Sequence, residues 1–445
     1  MTFTNKARLT SFLREHYALL GVLLGSLMVS ISLGPYSNWD SQTEYAAASS
    51  VVKLGLPYAT PGNLINQPPI GFYIDAVFLR AFGLSYTTGV AVITLFGIGC
   101  VFLLYTLGKT LYGERTGLLG AGIFALTPWH AVLSRSFLID TQCLFFSLLS
   151  LLVGIWAIRK TSMKLTLASG ILFGVALLTK LFAIFTLIPM AVIFAYYGLK
   201  NLKRGLSQIA LFALPSVVMH YSWYEVISRL GFFSIFTHTD FLSFNQGVTP
   251  SPFFLIRFFI ENPGLLFLLA TIISVSLSLF IREHSTKTVF FDFVCLATII
   301  GTAGMNMLLV LGIGLWVPYV DPVKYDYQLL PAFCLLAASL MPKAYMIIKS
   351  VPTQGKWRKP IFVVAVIGLV LLAGSVLLNL RTLLLLTTQD YLMFRVEGDV
   401  GFSFERLAPT IAQQYLVAVQ GLGFLLIMVS LVWANRAVFS RREKT

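Results

Sequence analysis

Charge is scarce in this chain. Asp, Glu, Lys and Arg together make up 11% of its 445 residues, where a soluble domain carries about 25%. A water-soluble fold of this size would lack the polar atoms to cover its own surface, which excludes the soluble-enzyme classes. Cysteine is rare as well. Cys100, Cys143, Cys295 and Cys334 all lie inside apolar runs and read as small packing side chains, so a disulfide framework is excluded. Glycine-rich phosphate loops, CxxC pairs and HExxH are absent, and with them the common soluble-enzyme motifs.

What the chain has instead is apolar length. Hydrophobic residues make up 57%, which rules out a disordered chain. Apolar runs of about 20 residues can cross a bilayer as helices. Twelve such spans are expected, near 16–35, 86–112, 114–134, 138–158, 164–180, 181–199, 206–226, 263–281, 289–316, 329–349, 360–386 and 413–435. Three long polar or mixed segments lie between them: 36–85, 227–262 and 387–412. Within the first, the apolar stretch Pro68–Gly83 is short and carries Asp75 and Arg80; it reads as an interfacial or re-entrant helix. The expected fold is a single all-α, polytopic membrane domain over 1–445, with about twelve transmembrane helices and interfacial helices in its first long loop.

Charge sign orients this arrangement. The formal net charge is +14, from 32 Lys+Arg against 18 Asp+Glu. In a soluble protein that excess would suggest nucleic acid; here it marks cytoplasmic loops, and no nucleic-acid partner is expected. With the N-terminus inside, most basic residues fall on the cytoplasmic side. Of the acids, only Glu15, Glu114, Glu283, Asp292 and Glu443 do so. Both termini are therefore expected in the cytoplasm, and 36–85, 227–262 and 387–412 outside. The first span reads as an uncleaved signal anchor, because no small-x-small cleavage site precedes Pro35. No internal repeat and no soluble terminal domain are evident, so function is expected in the membrane or at its outer face.

The acids gathered outside need an explanation beyond orientation. Asp40 and Glu44 are four residues apart, so in a helix their carboxylates share a face. They suit a general base, a metal ligand or a cation site; the alternative is that Asp40 caps a helix and Glu44 is solvated. Arg135 and Asp140, in RSFLID, fall at the same face, either as an anchoring pair or with Asp140 joining Asp40 across a site. Lys180, in LLTKLF, is an isolated membrane-boundary lysine, hence a functional candidate unless it snorkels. Lys324, Tyr325, Asp326 and Tyr327 precede the tenth span, where a cation and phenols suit a phosphate at headgroup level or an aromatic belt. In 227–262, His238 is a weak ligand candidate, and Arg257 lies where the chain re-enters the membrane, either as a phosphate contact or as an ordinary interfacial anchor. His130 and His220 read as packed inside helices.

Five pieces in order resemble the GT-C membrane glycosyltransferases, in the branch of protein O-mannosyltransferases and lipid A aminoarabinose transferases. They are WDSQTEYA, NQPPIGFYIDAVFLRAFG, LYGERTGLLGAGIFALTPWHAVLSRSFLIDTQCLFF, GILFGVALLTKLF and KYDYQLLPAF, spread over residues 39–333. The resemblance implies an enzyme that uses a polyprenyl-phosphate-linked sugar at the outer face. It places the catalytic base on Asp40, with Glu44 as substitute, puts Asp140 in the same site and matches Lys180 to the family's lysine. The family's Lys-Pro-Pro motif, whose lysine contacts donor phosphate, is here Gln67-Pro68-Pro69. Phosphate neutralisation then falls to Lys180, Arg135, Arg257 or Lys324.

The combined reading is a hexosyl- or pentosyltransferase of the plasma (inner) membrane. It moves a sugar from a polyprenyl-phosphate donor to a hydroxyl of a lipid, glycan or protein acceptor, with inversion. The alternative is a transporter or flippase of lipid-linked sugars, which would place its key charges near the bilayer midplane. No cofactor is required by the sequence; Asp40 and Asp140 offer oxygen ligands to a divalent metal if one takes part.

Overall fold

A computed structural model describes residues 3–65, 67–198, 201–230, 264–280, 286–310, 326–349, 358–388, 391–394, 402–406 and 413–440. Helices dominate it: α1 (Phe3–Leu33), α2 (Trp39–Leu54), α3 (Ile70–Phe82), α4 (Tyr86–Tyr112), α5 (Glu114–Ala125), α6 (Pro128–Leu133), α7 (Asp140–Arg159) and α8 (Met163–Thr179). A 3₁₀ segment (Leu181–Thr186) leads to α9 (Leu187–Gly198), followed by α10 (Leu202–Arg229), α11 (Leu265–Phe280), α12 (Thr286–Val310), α13 (Leu330–Lys349), α14 (Arg358–Thr388) and α15 (Gln413–Ser440).

Each expected span contains helix among the described residues. Among the described residues, seven helices are long and apolar enough to cross a membrane, and three shorter apolar ones join them. The span expected at 114–134 is broken into α5 and α6, because Pro128 opens a new helix as its first residue and cannot donate to the preceding turn. α10 contains Pro215 and a polar series from Gln208 to Glu225, so it is more amphipathic than its neighbours. Large apolar side chains face outward along α14 and α15: Val370, Leu377 and Val432 are each 66% exposed. Such faces need a lipid solvent, and the chain is an integral membrane protein.

Small residues set the closest helix contacts, as expected where lipid removes the hydrophobic drive between helices. α1 and α15 cross at Gly25, whose absent Cβ would sit 2.6 Å from the Gly423 carbonyl oxygen. On α7 and α8, Ser150 and Ser169 donate to each other's carbonyl oxygens at 2.8 Å.

Short strands tie the loops of one end together. β1 (Tyr36–Ser37) pairs antiparallel with β5 (Phe402–Arg406), which pairs with β4 (Tyr391–Phe394). Tyr36 also bridges Ser136 in the α6–α7 connection. β2 (Tyr58–Thr60) and β3 (Asn63–Leu64) form a hairpin between α2 and α3. The first loop, the α6–α7 connection and strands β4 and β5 therefore share one end of the bundle. Even numbers of spans separate the first two, as the sequence requires of loops on one side.

Candidate active site

The site is assembled at that end from three chain breaks. α2 begins where it does because Asn38 and Ser41 form a capping box: the Asn38 side chain accepts from the Ser41 N–H, and the Asn38 N–H donates to Ser41 Oγ, both at 2.8 Å. Asn38, rather than Asp40, is thus the cap. Asp40 sits in the first turn, half-buried, and Glu44 one turn later is 1% exposed. The solvated Glu44 entertained above is therefore not what the structure has.

Glu44 is held from three sides. Its Oε2 accepts the Ile139 N–H at 2.9 Å, and its Oε1 accepts from Gln67 Nε2 at 3.2 Å. Lys180 Nζ lies 3.7 Å from the same Oε1. Lys180 ends α8 in extended backbone, φ −157°, which turns its side chain in toward the neighbouring helices. Its ammonium donates to Asp140 Oδ2 at 2.6 Å. Asp140 opens α7, where the exposed N–H groups of the first turn favour a negative charge. One buried cation thus joins two buried carboxylates, leaving the array formally −1. Among the described residues no group of three or more His, Cys, Asp or Glu is arranged to hold a metal; the Lys180 ammonium takes the place between Glu44 and Asp140.

Arg135, in the same α6–α7 connection that leads to Asp140, is engaged by other residues. Its guanidinium donates to the Gly34 carbonyl oxygen (3.1 Å) and Thr94 Oγ1 (2.8 Å). Burial lowers its pKa to about 10, so it stays charged at neutral pH. Tyr327 is fully buried, its hydroxyl 2.5 Å from His130 Nδ1, which makes it a core residue rather than part of an aromatic belt. Its neighbour Gln328 donates to Cys143 Sγ, 3.4 Å away, and Cys143 in turn contacts the Lys180 carbonyl oxygen. His238, Arg257, Lys324 and Tyr325 lie outside the described residues.

Gln328 and Thr186 form one end of a narrow apolar cavity. Leu144, Leu148 and Ile155 line it along about three turns of α7, with Phe185, Ile193 and Leu335 opposite. Its lining on α7 begins at Leu144, one helical turn after Asp140, and Gln328 reaches the same Cys143 that contacts the Lys180 carbonyl oxygen.

Sequence reasoning missed Asp75 and Gln142. Asp75 is fully buried on α3, 2.5 Å from Gln142 Nε2. The signal was present: Asp75 is an acid isolated in an apolar run, the same cue that singled out Lys180. A second buried pair, Lys343 Nζ with Asp292 Oδ2 at 2.7 Å, was also missed. Lys343 donates further to Ser274 and Ser339, and Tyr112 donates to Asp292. The pair ties α4, α11, α12 and α13 together, so these residues are not the solvated loop charges that orientation counting assumed. The four cysteines are buried and unpaired with one another, as expected of packing residues.

Comparison with known proteins follows the same lines. Residues 66–223 match the family described as dolichyl-phosphate-mannose-protein mannosyltransferase. A putative mannosyltransferase of Bacillus subtilis (strain 168), YycA, is 27% identical over 160 residues, covering 36% of this chain and 23% of that protein. The chain thus spans about a quarter of the length of that relative. ArnT from Cupriavidus metallidurans, solved bound to undecaprenyl phosphate, superposes with a TM-score of 0.55 at 15% identity, over 95% of this chain and 77% of that one. The archaeal oligosaccharyltransferase AglB from Archaeoglobus fulgidus, solved with an inhibitory peptide and a dolichol-phosphate, gives 0.50 at 12% identity, over 83% and 56%. The resemblance drawn from the sequence is borne out: this chain has the GT-C fold of polytopic membrane glycosyltransferases, and its residues 66–223 match a mannosyltransferase family.

Proposed function

We propose that the protein transfers a sugar from a polyprenyl-phosphate donor to an acceptor hydroxyl at the external face of the membrane, by one inverting displacement. The observation that carries this reading is a buried ionic array at the start of α7, with an apolar cavity lined by the same helix from Leu144, one turn further on. A lipid phosphate needs both: fixed charges at its head and an apolar slot for its chain. The array sits at the loop end of the bundle, which disfavours a transporter, whose charges belong near the midplane.

Asp40 is the base. It lies one helical turn from Glu44 and retains access to solvent, whereas Asp140 is neutralised by Lys180, and Glu44 spends its lone pairs on Ile139, Gln67 and Lys180. Asp40 takes the acceptor proton as the hydroxyl attacks the anomeric carbon, a contribution of typically ~10²–10⁴-fold. The leaving phosphate gathers charge that fixed cations stabilise, here Lys180, with Arg135 as the second candidate. Glu44 and Asp140 hold Lys180 in place before the donor arrives. The external assignment rests on charge: Lys109, Arg159, Lys160 and Arg204 all lie at the opposite end, as cytoplasmic loops require.

The test is direct. Purified protein in nanodiscs is supplied with polyprenyl-phosphate sugars and soluble or lipid acceptors, with and without chelator, and product anomers are read by NMR. Inverted product that depends on Asp40 supports the reading. Transfer with retention, or no transfer but movement of the lipid-linked sugar across the bilayer, overturns it.

A further inference from the structure

Asp75 plays no part in the chemistry just described, yet its surroundings are unusual. It is a fully buried acid on α3, and among the described residues no cation lies within ion-pair distance of it. Its Oδ1 is 2.5 Å from the side-chain amide of Gln142. Its Oδ2 has no hydrogen-bond partner, and neither has Gln142 Oε1. Two unmet acceptors side by side, one of them on an ionised carboxylate, would be costly.

Protonating Asp75 and turning the Gln142 amide by half removes the uncompensated buried charge, the largest part of that cost, while Asp75 Oδ2 and the far end of the amide stay without partners. A separation of 2.5 Å is short for N–H···O, which favours 2.7–3.2 Å, and ordinary for O–H···O, which runs from 2.5 to 3.0 Å. The two ends of a glutamine amide are exchanged by a half-turn that leaves the atom positions almost unchanged. With the Gln142 oxygen toward α3, a carboxylic O–H on Asp75 has its acceptor at the observed distance. The electrostatics agree. Burial pushes the Asp75 carboxyl well above the usual range, and the charge of Glu44 on α2 adds to this against the opposing hydrogen bond from Gln142.

The contact also sits at a mechanical junction. Gln142 lies in the first turn of α7, two residues after Asp140 and three after Ile139, whose N–H Glu44 accepts. α3 approaches that turn closely: a Cβ on Gly71 would lie 2.9 Å from both Gln142 Oε1 and Ile139 Cγ2, and 3.1 Å from Thr179 Cγ2. Thr179 is the last residue of α8, just before Lys180.

We propose that Asp75 is kept as an uncharged carboxylic acid whose O–H donates to Gln142, and that this bond positions the start of α7, and so Asp140 and Lys180, for donor binding and transfer. Asp75 is a positioning residue and does not touch the reacting atoms. The positioning half rests on the transfer proposed above; the protonation half does not.

The experiment keeps the two apart. An infrared difference spectrum of wild type minus Asp75→Asn, taken at neutral pH in nanodiscs, is expected to show the carbonyl stretch of a protonated acid. A carboxylate band in its place overturns the proposal whatever the enzyme does. In transfer assays, Asp75→Asn, which still donates to an oxygen, is expected to keep kcat within about twofold. Asp75→Leu is expected to lower kcat about tenfold or more, the scale on which small misplacements act, and Gln142→Leu to match it. The double variant should be no worse than either single one, because both remove one bond. Equal damage by Asn and Leu would mean that the charge is needed, and wild-type kcat in Asp75→Leu that nothing is positioned; either result overturns the proposal. If Asp75→Leu fails to fold, the infrared band and the comparison of Asp75→Asn with Gln142→Leu still decide.

Discussion

Lys180 is the residue on which most of the site depends. Its ammonium is the buried counter-charge to Asp140 and Glu44, 2.6 Å and 3.7 Å away. Removing one partner of a buried ion pair typically costs ~3–5 kcal/mol, because the other charge is left uncompensated. Lys180→Ala is therefore expected to lower the melting temperature markedly and to abolish transfer. Asp140→Asn in the same chain should recover part of the stability but not the activity. Thermal unfolding of the two variants in detergent checks this; a Lys180→Ala protein as stable as wild type would show that the array carries no net charge interaction. Asp40→Asn is expected to behave in the opposite way, with unchanged stability and a loss of more than ~10² in kcat, while Glu44→Gln costs stability through the Ile139 and Lys180 contacts. Gln67→Lys should be tolerated and tighten donor binding, because a lysine at this position faces Glu44 and stands near the array; a donor saturation curve decides it. Residue by residue, the sequence pointed to Glu44 through its spacing from Asp40, to Asp140 through its nearness to Arg135, and to Lys180 as an isolated charge. It could not show that one lysine serves both acids, since these partners are 40 and 136 residues from it in sequence, nor that Asn38 takes the capping role from Asp40.

Elements were more legible than contacts. Apolar length alone located every span, because a lipid-facing helix has no other way to satisfy its backbone. The break between α5 and α6 follows from Pro128, which is visible in the sequence, but the unbroken apolar run around it hid the consequence. α3 was legible as too short to cross: its 13 residues give about 20 Å of helix against about 30 Å of hydrocarbon. Its buried face was not legible, because Gly71 looks like any glycine until α7 and α8 are placed against it. Gly71→Ala is expected to push α3 off the first turn of α7, with an overpacking cost of ~1–3 kcal/mol and reduced transfer. The control is Gly62→Ala at the hairpin between β2 and β3. A Cβ there meets nothing within 4 Å but φ is +81°, so the backbone is strained locally while transfer is retained. Equal transfer rates in the two variants would show that the seat of α3 does not matter to the site.

At the scale of the whole molecule, the strands and the ionic array make sidedness a single question. β1, β5 and the Tyr36–Ser136 bridge fix the first loop, strands β4 and β5 and the α6–α7 connection at one end, and Glu44, Asp140 and Lys180 at the same end. If any one of these is external, all are. The basic residues at the other end make an external site the expected outcome. All four native cysteines are buried, so introduced ones can be read over a low background with a membrane-impermeant maleimide. Cysteine in place of Asn63, exposed in the β2–β3 hairpin, is expected to label in intact cells. Cysteine in place of Lys203, exposed at the start of α10, should label only after the membrane is opened. The positive-inside argument counts charges that turned out to include a buried pair, Lys343 with Asp292, which cancels in sign and so leaves the bias intact. Labelling of 203 but not 63 from outside would invert the protein, place the array in the cytoplasm and require a donor presented on the inner leaflet. Labelling of both would put residues 63 and 203 on one face, which the five spans expected between them forbid, because no odd number of crossings returns the chain to the same face; one of those five would then not cross.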